Sequence, residues 1–310
     1  MTSDRKLVLL ALDGSEQSLE TVRYLSQVLT LSNTEVVLFH VFQKVLPMFW
    51  DREQDPMAVK HLEYMEGWSA HKEQKMREFM EEARQILVEA GMSQESVISN
   101  IQYRKQGIAR DILEESRFGY DLVALGRRGL GAADDAMLGS IASKVLLNVV
   151  GPAVCLVGGK PKTGRILVGV DSSWGSMRAA NFVGKILSKG EPQVTLAHVI
   201  RFPQEDEAEM LSGEVVQKLQ DDAREAIKPT FEKLTKSLTG MGISPAKISS
   251  KVISGVVSRS TALLNEARNG RFGTIVVGRR GVSEVEEFQI GRIAAKLTQV
   301  ARDMAVWVVS

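Results

Sequence analysis

Near-continuous apolar runs recur along the chain at residues 7–12, 36–41, 122–125 and 153–157, and again at 166–170, 194–199, 274–277 and 305–309. Runs of this length without polar alternation suit parallel strands covered on both faces. The segments between them carry helical spacing instead; Met76, Phe79, Met80, Ala83 and Leu87, for example, fall on one face of a helix. Each half of the chain reads strand, helix, strand, long helical segment, strand, helix, strand, helix, strand. That alternation predicts an α/β fold built on doubly wound parallel five-stranded sheets, one per half.

The two halves are copies. Residues 6–15, an apolar strand closing on Asp13, Gly14 and Ser15, return as residues 165–173, which close on Asp171, Ser172 and Ser173; position 171 against 13 is an offset of 158. The strand ending in His40 and Val41 returns with His198 and Val199 at the same offset. The stretch Leu125, Gly126, Arg127, Arg128, Gly129 returns as Val277, Gly278, Arg279, Arg280, Gly281, now at an offset of 152. A linker of glycine, lysine and proline at 158–164 separates the copies, so the expected domains are 1–159 and 163–310.

Composition narrows the partners more than it names them. The chain has 310 residues, of which 44% are hydrophobic and 25% charged, and its 39 Lys and Arg nearly balance its 38 Asp and Glu. No global field favours nucleic acid or an anionic membrane surface, so neither is an expected partner and any ligand is recognised locally. No apolar run is long enough to cross a bilayer and no signal-peptide core opens the chain, which makes a cytoplasmic location the expectation. The single cysteine, Cys155, sits within an apolar run and is expected on a buried strand.

Chemistry is expected at the strand ends, because ligands of doubly wound sheets bind outside the C-terminal ends of the strands, where strand order reverses. In the first copy Gly126 is followed after two residues by Gly129, after nine more by Gly139, and then by Ser140 and Ile141. Glycines let the backbone turn sharply and approach a ligand closely. Ser140 stands where a helix N-cap is expected, so its hydroxyl and the free amides of the helix start form a phosphate cradle. Asp13 at the first strand end has two readings, a hydrogen-bond acceptor for an adenine amino group or ribose hydroxyl, or a cap for the following helix.

Taken together, the glycine spacing with Ser140, Asp13 before Gly14 and Ser15, the His40 and Val41 strand end and the Pro152, Ala153, Val154 approach to the last strand resemble the universal stress protein family, in tandem. The resemblance implies an adenine nucleotide alpha hydrolase-like fold and ATP as ligand, with or without Mg²⁺. It places adenine and ribose near Asp13 and Val41, ribose and phosphates against Leu125, Gly126 and Gly129, and the phosphate tail at Gly139, Ser140 and Ile141. It also implies that the last strands, 153–157 and 305–309, pair across the two copies as an intramolecular pseudo-dimer, with a homodimer of chains left open. Arg127 and Arg128 are open between phosphate contact and solvated surface.

The second copy keeps Gly278, Gly281 and Gly291 but carries Arg292 in place of the serine. Positive charge at a helix start is unfavourable without an anion. Arg292 is therefore read as filling an empty site, with phosphate binding through its guanidinium as the other reading. The acidic run 283–287 favours the first, since it would repel phosphate.

No Gly-Lys-Ser or Gly-Lys-Thr tripeptide, complete dinucleotide fingerprint, Ser-Gly-Gly loop or His-Ile-Gly-His motif is present in the glycine loops. His40, His61, His71 and His198 lack metal-ligand spacing; His40 and His198 read as structural residues at equivalent strand ends. Catalysis is thus not required, and no catalytic or metal-binding residue is assigned. The expected function is nucleotide sensing or regulation in the stress response. A slow ATPase and an adaptor acting through protein contacts or an apolar ligand are the alternatives. The apolar stretch Val45, Leu46, Pro47, Met48, Phe49 and Trp50 is expected as a lid, or else as a docking site.

Overall fold

The computed structural model describes residues 5–43, 56–129, 137–187, 192–201, 213–281 and 289–310, with the side chains of 56–66 left out. The stretch 45–50 and the acidic run 283–287 therefore lie outside the described residues. In chain order the first half holds β1 (Lys6–Ala11), α1 (Glu16–Val28), β2 (Thr34–Phe42), α2 (Pro56–Glu89), β3 (Val97–Tyr103), α3 (Ile108–Glu115), β4 (Leu122–Gly126), α4 (Ser140–Asn148) and β5 (Ala153–Val157). The second half repeats the order with β6 (Arg165–Gly169), α5 (Trp174–Leu187), β7 (Gln193–Arg201), α6 (Gly213–Gly240), β8 (Ile248–Val256), α7 (Arg259–Asn269), β9 (Thr274–Gly278), α8 (Arg292–Val300) and β10 (Ala305–Val309).

The ten strands form one sheet in the order β3-β2-β1-β4-β5-β10-β9-β6-β7-β8. Every neighbouring pair is parallel except β5 and β10, which run antiparallel with Cys155 opposite Trp307. The two expected five-stranded sheets are thus joined through their last strands. The physical reason lies in those strands: all five residues of each are buried, and either would be an exposed sticky edge if its half stood alone.

Helices cover both faces, and each core layer runs across both halves. One layer joins α1, α2, α5 and α6 through Leu25, Met80, Val183 and Ile227 to Val8, Val168 and Trp307 of the sheet. The other joins α3, α4, α7 and α8 through Ile112, Val145, Leu263 and Leu297. The face predicted for α2 is the one packed inward, with Met80, Ala83 and Leu87 buried. Cys155 is fully buried, and burial pushes its thiol well above the ordinary range, so it stays protonated and unreactive. Tyr24 of α1 crosses to the other half, where its hydroxyl meets Thr274 Oγ1 at 2.7 Å. Because β5 and β10 are antiparallel, the C-terminal strand ends of the two halves open at opposite ends of the sheet.

Candidate functional site

At the C-terminal ends of β1, β2 and β4 a cavity of 840 Å³ opens. Strand order reverses here, since β1 is flanked by β2 on one side and β4 on the other. Asp13, Val41, Leu125, Gly126, Gly129, Gly139, Ser140 and Ile141 all line it. Eight residues spread over 129 positions of chain (Asp13 to Ile141 inclusive) are brought together by three strand ends and one helix start.

The turn after β1 is a network built on Asp13. Its Oδ1 accepts from the Ser15 amide at 3.1 Å, and from the hydroxyls of Ser15 and Ser18. Gly14 makes this turn at φ +86°, a conformation that favours glycine. Ser15, not Asp13, is the N-cap of α1, its side chain accepting from the Ser18 amide. Asp13 thus orders the turn that precedes the helix, while its Oδ2 faces Gly129, where any Cβ would collide with it. Asp171 repeats the arrangement with Ser173, its Oδ1 accepting from the Ser173 amide at 3.0 Å and from the Ser173 hydroxyl.

His40 stands beside this turn and donates through Nδ1 to Leu12 O at 2.7 Å. Desolvation lowers its pKa despite that hydrogen bond and the nearby Asp13 charge, which both act the other way. His198 makes the same bond to Val170 O at 2.8 Å, in keeping with the structural role expected of the pair.

One expectation at the glycine loop is corrected. Gly139 is the N-cap of α4 and Ser140 is its first helical residue, exposed at the cavity mouth. Glycine has no side chain with which to cap, so the first-turn amides of α4 depend on partners from outside the helix. The loop itself is held closed by Gly139 N donating to Arg127 O at 3.0 Å. A Cβ on Gly126 would stand 2.9 Å from Arg128 O, so a side chain here would push the loop backbone aside.

Four residues of α2 that had been assigned only to a helix, or to its core face, also line the cavity: Lys72, Lys75, Met76 and Phe79. Their spacing of three, one and three residues is that of one helix face, and this was the signal available in the sequence. Arg128 joins them. Among the described lining residues three cations stand against the one carboxylate of Asp13 and give an excess of positive charge. Lys72 also rests on the Trp68 ring, its Nζ 3.9 Å from the centroid.

Arg127 fits neither reading given to it. It is buried at 2% exposure and reaches into the other half, where Nε donates to Thr298 O at 3.2 Å and Nη2 to Gln299 O, both in the last turn of α8. Arg279, its copy, donates through Nη2 to Leu146 O at 2.8 Å and Leu147 O at 2.7 Å, in the last turn of α4. Each glycine loop therefore sends an arginine to the carbonyl end of the other half's last helix, where unpaired carbonyls and the negative dipole end favour a cation. No local pattern distinguished this cross-connection from a surface arginine.

The sequence profile of the universal stress protein family matches residues 5–156 and again residues 162–309. The chain belongs to the universal stress protein family. A universal stress protein of Mycolicibacterium smegmatis is 24% identical over 196 residues, 62% of this chain and 63% of that relative. The chain thus spans less than two thirds of the curated relative it matches. Among solved structures, a universal stress protein of Archaeoglobus fulgidus superposes with a TM-score of 0.63 at 19% identity, over 100% of this chain and 99% of the other. A Pseudomonas aeruginosa protein of unknown function gives 0.53 at 14% identity, over 98% and 92%. These likenesses concern the fold.

Within this tandem universal stress protein the second domain is shaped differently at the equivalent place. Arg292 is the first residue of α8 and is exposed, as Ser140 is at the start of α4, and residues 282–288 of the second loop lie outside the described residues. Gly175 stands where the first domain has Gln17, and the helix start lies closer to the loop: a Cβ on Gly278 would be 2.5 Å from the Gly175 carbonyl carbon, against 3.8 Å between Gly126 and Gln17. A Cβ on Gly175 would itself collide with Arg280 O.

Proposed function

We propose that this universal stress protein binds ATP or a related adenine nucleotide in its first domain and acts as a sensor or regulator in the stress response, with at most slow hydrolysis. The observation that carries the reading is the 840 Å³ cavity itself, which combines a glycine loop, an open helix start and, among its described lining residues, more cations than carboxylates. Such a site favours an anionic ligand with a flat apolar end. In this reading Asp13 Oδ2 and Val41 meet adenine and ribose, Leu125, Gly126 and Gly129 meet ribose and phosphates, and the Gly139, Ser140 and Ile141 amides hold the phosphate tail. Lys72, Lys75 and Arg128 add charge at the same end. Among the described residues no group of three or more His, Cys, Asp or Glu is placed to hold a metal ion, so Mg²⁺ would travel with the triphosphate.

The same reading assigns the domains to 1–159 and 163–310, leaves the second domain as structural partner, and places the protein in the cytoplasm, with a homodimer of chains open. No described helix is long and apolar enough to cross a membrane. Native mass spectrometry with and without ATP tests the proposal: one nucleotide per chain is expected, and two would overturn the assignment of the second domain. Ser140→Arg, which copies Arg292 into the first site, is expected to abolish binding with an unchanged circular dichroism spectrum. Retained affinity would remove Ser140 from the site, and no binding by the parent at saturating ATP would favour an adaptor.

A further inference from the structure

The ten-stranded sheet ends in β3 on one side and in β8 on the other, and the internal repeat makes these two edges copies. Val36 lies opposite Val97 and Val194 opposite Ile248, so position 248 against 97, an offset of 151, carries β3 onto β8. An edge strand presents unpaired backbone groups, a template for pairing with another chain. The two copies treat that exposure differently.

β8 carries features that keep an edge single. A register irregularity between Val199 and Arg201 breaks its ladder with β7, and Lys251, exposed and paired with Glu266 at 2.7 Å, stands within it. β3 has neither. Its ladder with β2 runs unbroken to Tyr103, and its seven residues carry no charge. Where β8 has Ser249, Lys251 and Ser254, β3 has Ile98, Asn100 and Tyr103, and Ile98 and Tyr103 are exposed. Among the described residues no strand lies beyond β3.

The backbone of β3 restricts how a second strand meets it. Arg104 N donates to Phe42 O at 2.9 Å, so the even-numbered residues point their backbone groups at β2. Direction alternates along a strand, which turns those of Val97, Ser99, Ile101 and Tyr103 outward. These four positions are symmetric about Asn100. An antiparallel second copy of β3 centred there sets Val97 against Tyr103 and Ser99 against Ile101, each an outward-facing pair that exchanges both its hydrogen bonds. Tyr103 then lies across from a β-branched valine, a favourable cross-strand pair. The same centre brings Glu95 of one copy beside Lys105 of the other, at both ends of the junction, and both residues are exposed. Shifting the second copy by two residues either way leaves fewer such pairs and parts these charges. Antiparallel joining of strands from two domains is already how β5 and β10 close the seam inside the chain.

We propose that two copies of the chain associate through β3, antiparallel about a two-fold axis at Asn100, so that their sheets join edge to edge. The inference stands apart from nucleotide binding. Sedimentation velocity of the full chain at low salt, from about 1 μM to 1 mM, spans the range of a small interface and tests it. A concentration-dependent dimer is expected. Glu95→Lys sets like charges together at both ends and should weaken association about tenfold. Adding Lys105→Glu to that variant should restore it, since the charge pairs are then reversed rather than broken. Ser99→Pro removes an outward amide without touching the ladder to β2, a change edge strands accept, and should abolish the dimer with an unchanged circular dichroism spectrum. Should that spectrum change, the charge series decides alone. A chain that stays monomeric throughout overturns the proposal. So does a dimer indifferent to Glu95→Lys, one not restored by the reversal, or one that survives Ser99→Pro, since association then runs through another surface.

Discussion

Asp13 and His40 set the first strand end by satisfying backbone groups that the turn leaves open, and Asp171 and His198 do the same work in the second. Of the two carboxylate oxygens of Asp13, Oδ1 is taken up within the turn and Oδ2 faces Gly129. His40 carries a pH consequence. Its folded-state pKa is lowered, chiefly by desolvation, so between that value and the unfolded value near 6.5 the unfolded chain binds more protons. Its stabilising contribution is present above about pH 6.5 and is lost as pH falls through the window below it. Denaturant midpoints measured from about pH 7.5 to 5.5 should fall, and His40→Asn, which retains a donor near Nδ1 without titrating, should flatten that slope. An unchanged slope would assign the loss to other groups.

Helix spacing predicted which side of α2 packs inward but not how far the partly buried Met76 and Phe79 reach toward the first site. Periodicity reports a face, and the position of that face along the strand ends depends on the length and path of what precedes it. The N-cap of α4 was misjudged by one residue for a related reason, since Gly and Ser are both favoured at helix starts and only the backbone angles separate them. Lys72→Glu with Lys75→Glu, on the exposed turns of α2, is expected to weaken ATP about tenfold in calorimetry, with steeper loss at low salt and little change in melting temperature. Equal affinity would exclude α2 from the site.

The ten-stranded sheet fixes the two domains as one body, and the exchanged arginines tie each glycine loop to the far domain. Arg127→Met should destabilise the chain by about 2–3 kcal/mol, because it strips a charged donor from the carbonyl end of α8 in a buried setting. Denaturant unfolding measures it, and a change under 1 kcal/mol, about the value of an exposed polar contact, would return Arg127 to the surface reading. Ser140→Arg, by contrast, changes an exposed position and should leave this midpoint in place.

The duplication and the alternation of strands and helices rest on local spacing, since apolar runs and glycine positions carry that information directly. The pairing of the last strands and the eight residues placed at the first cavity came from the resemblance to the family, and the α2 residues that also line the cavity lay outside it. Whether an arginine meets solvent, phosphate or another domain's helix end depends on which surfaces the antiparallel β5 and β10 pair brings together. The carbonyls that Arg127 and Arg279 reach and the meeting of Tyr24 with Thr274 were likewise decided only in the folded chain, because they are distances between segments far apart in sequence.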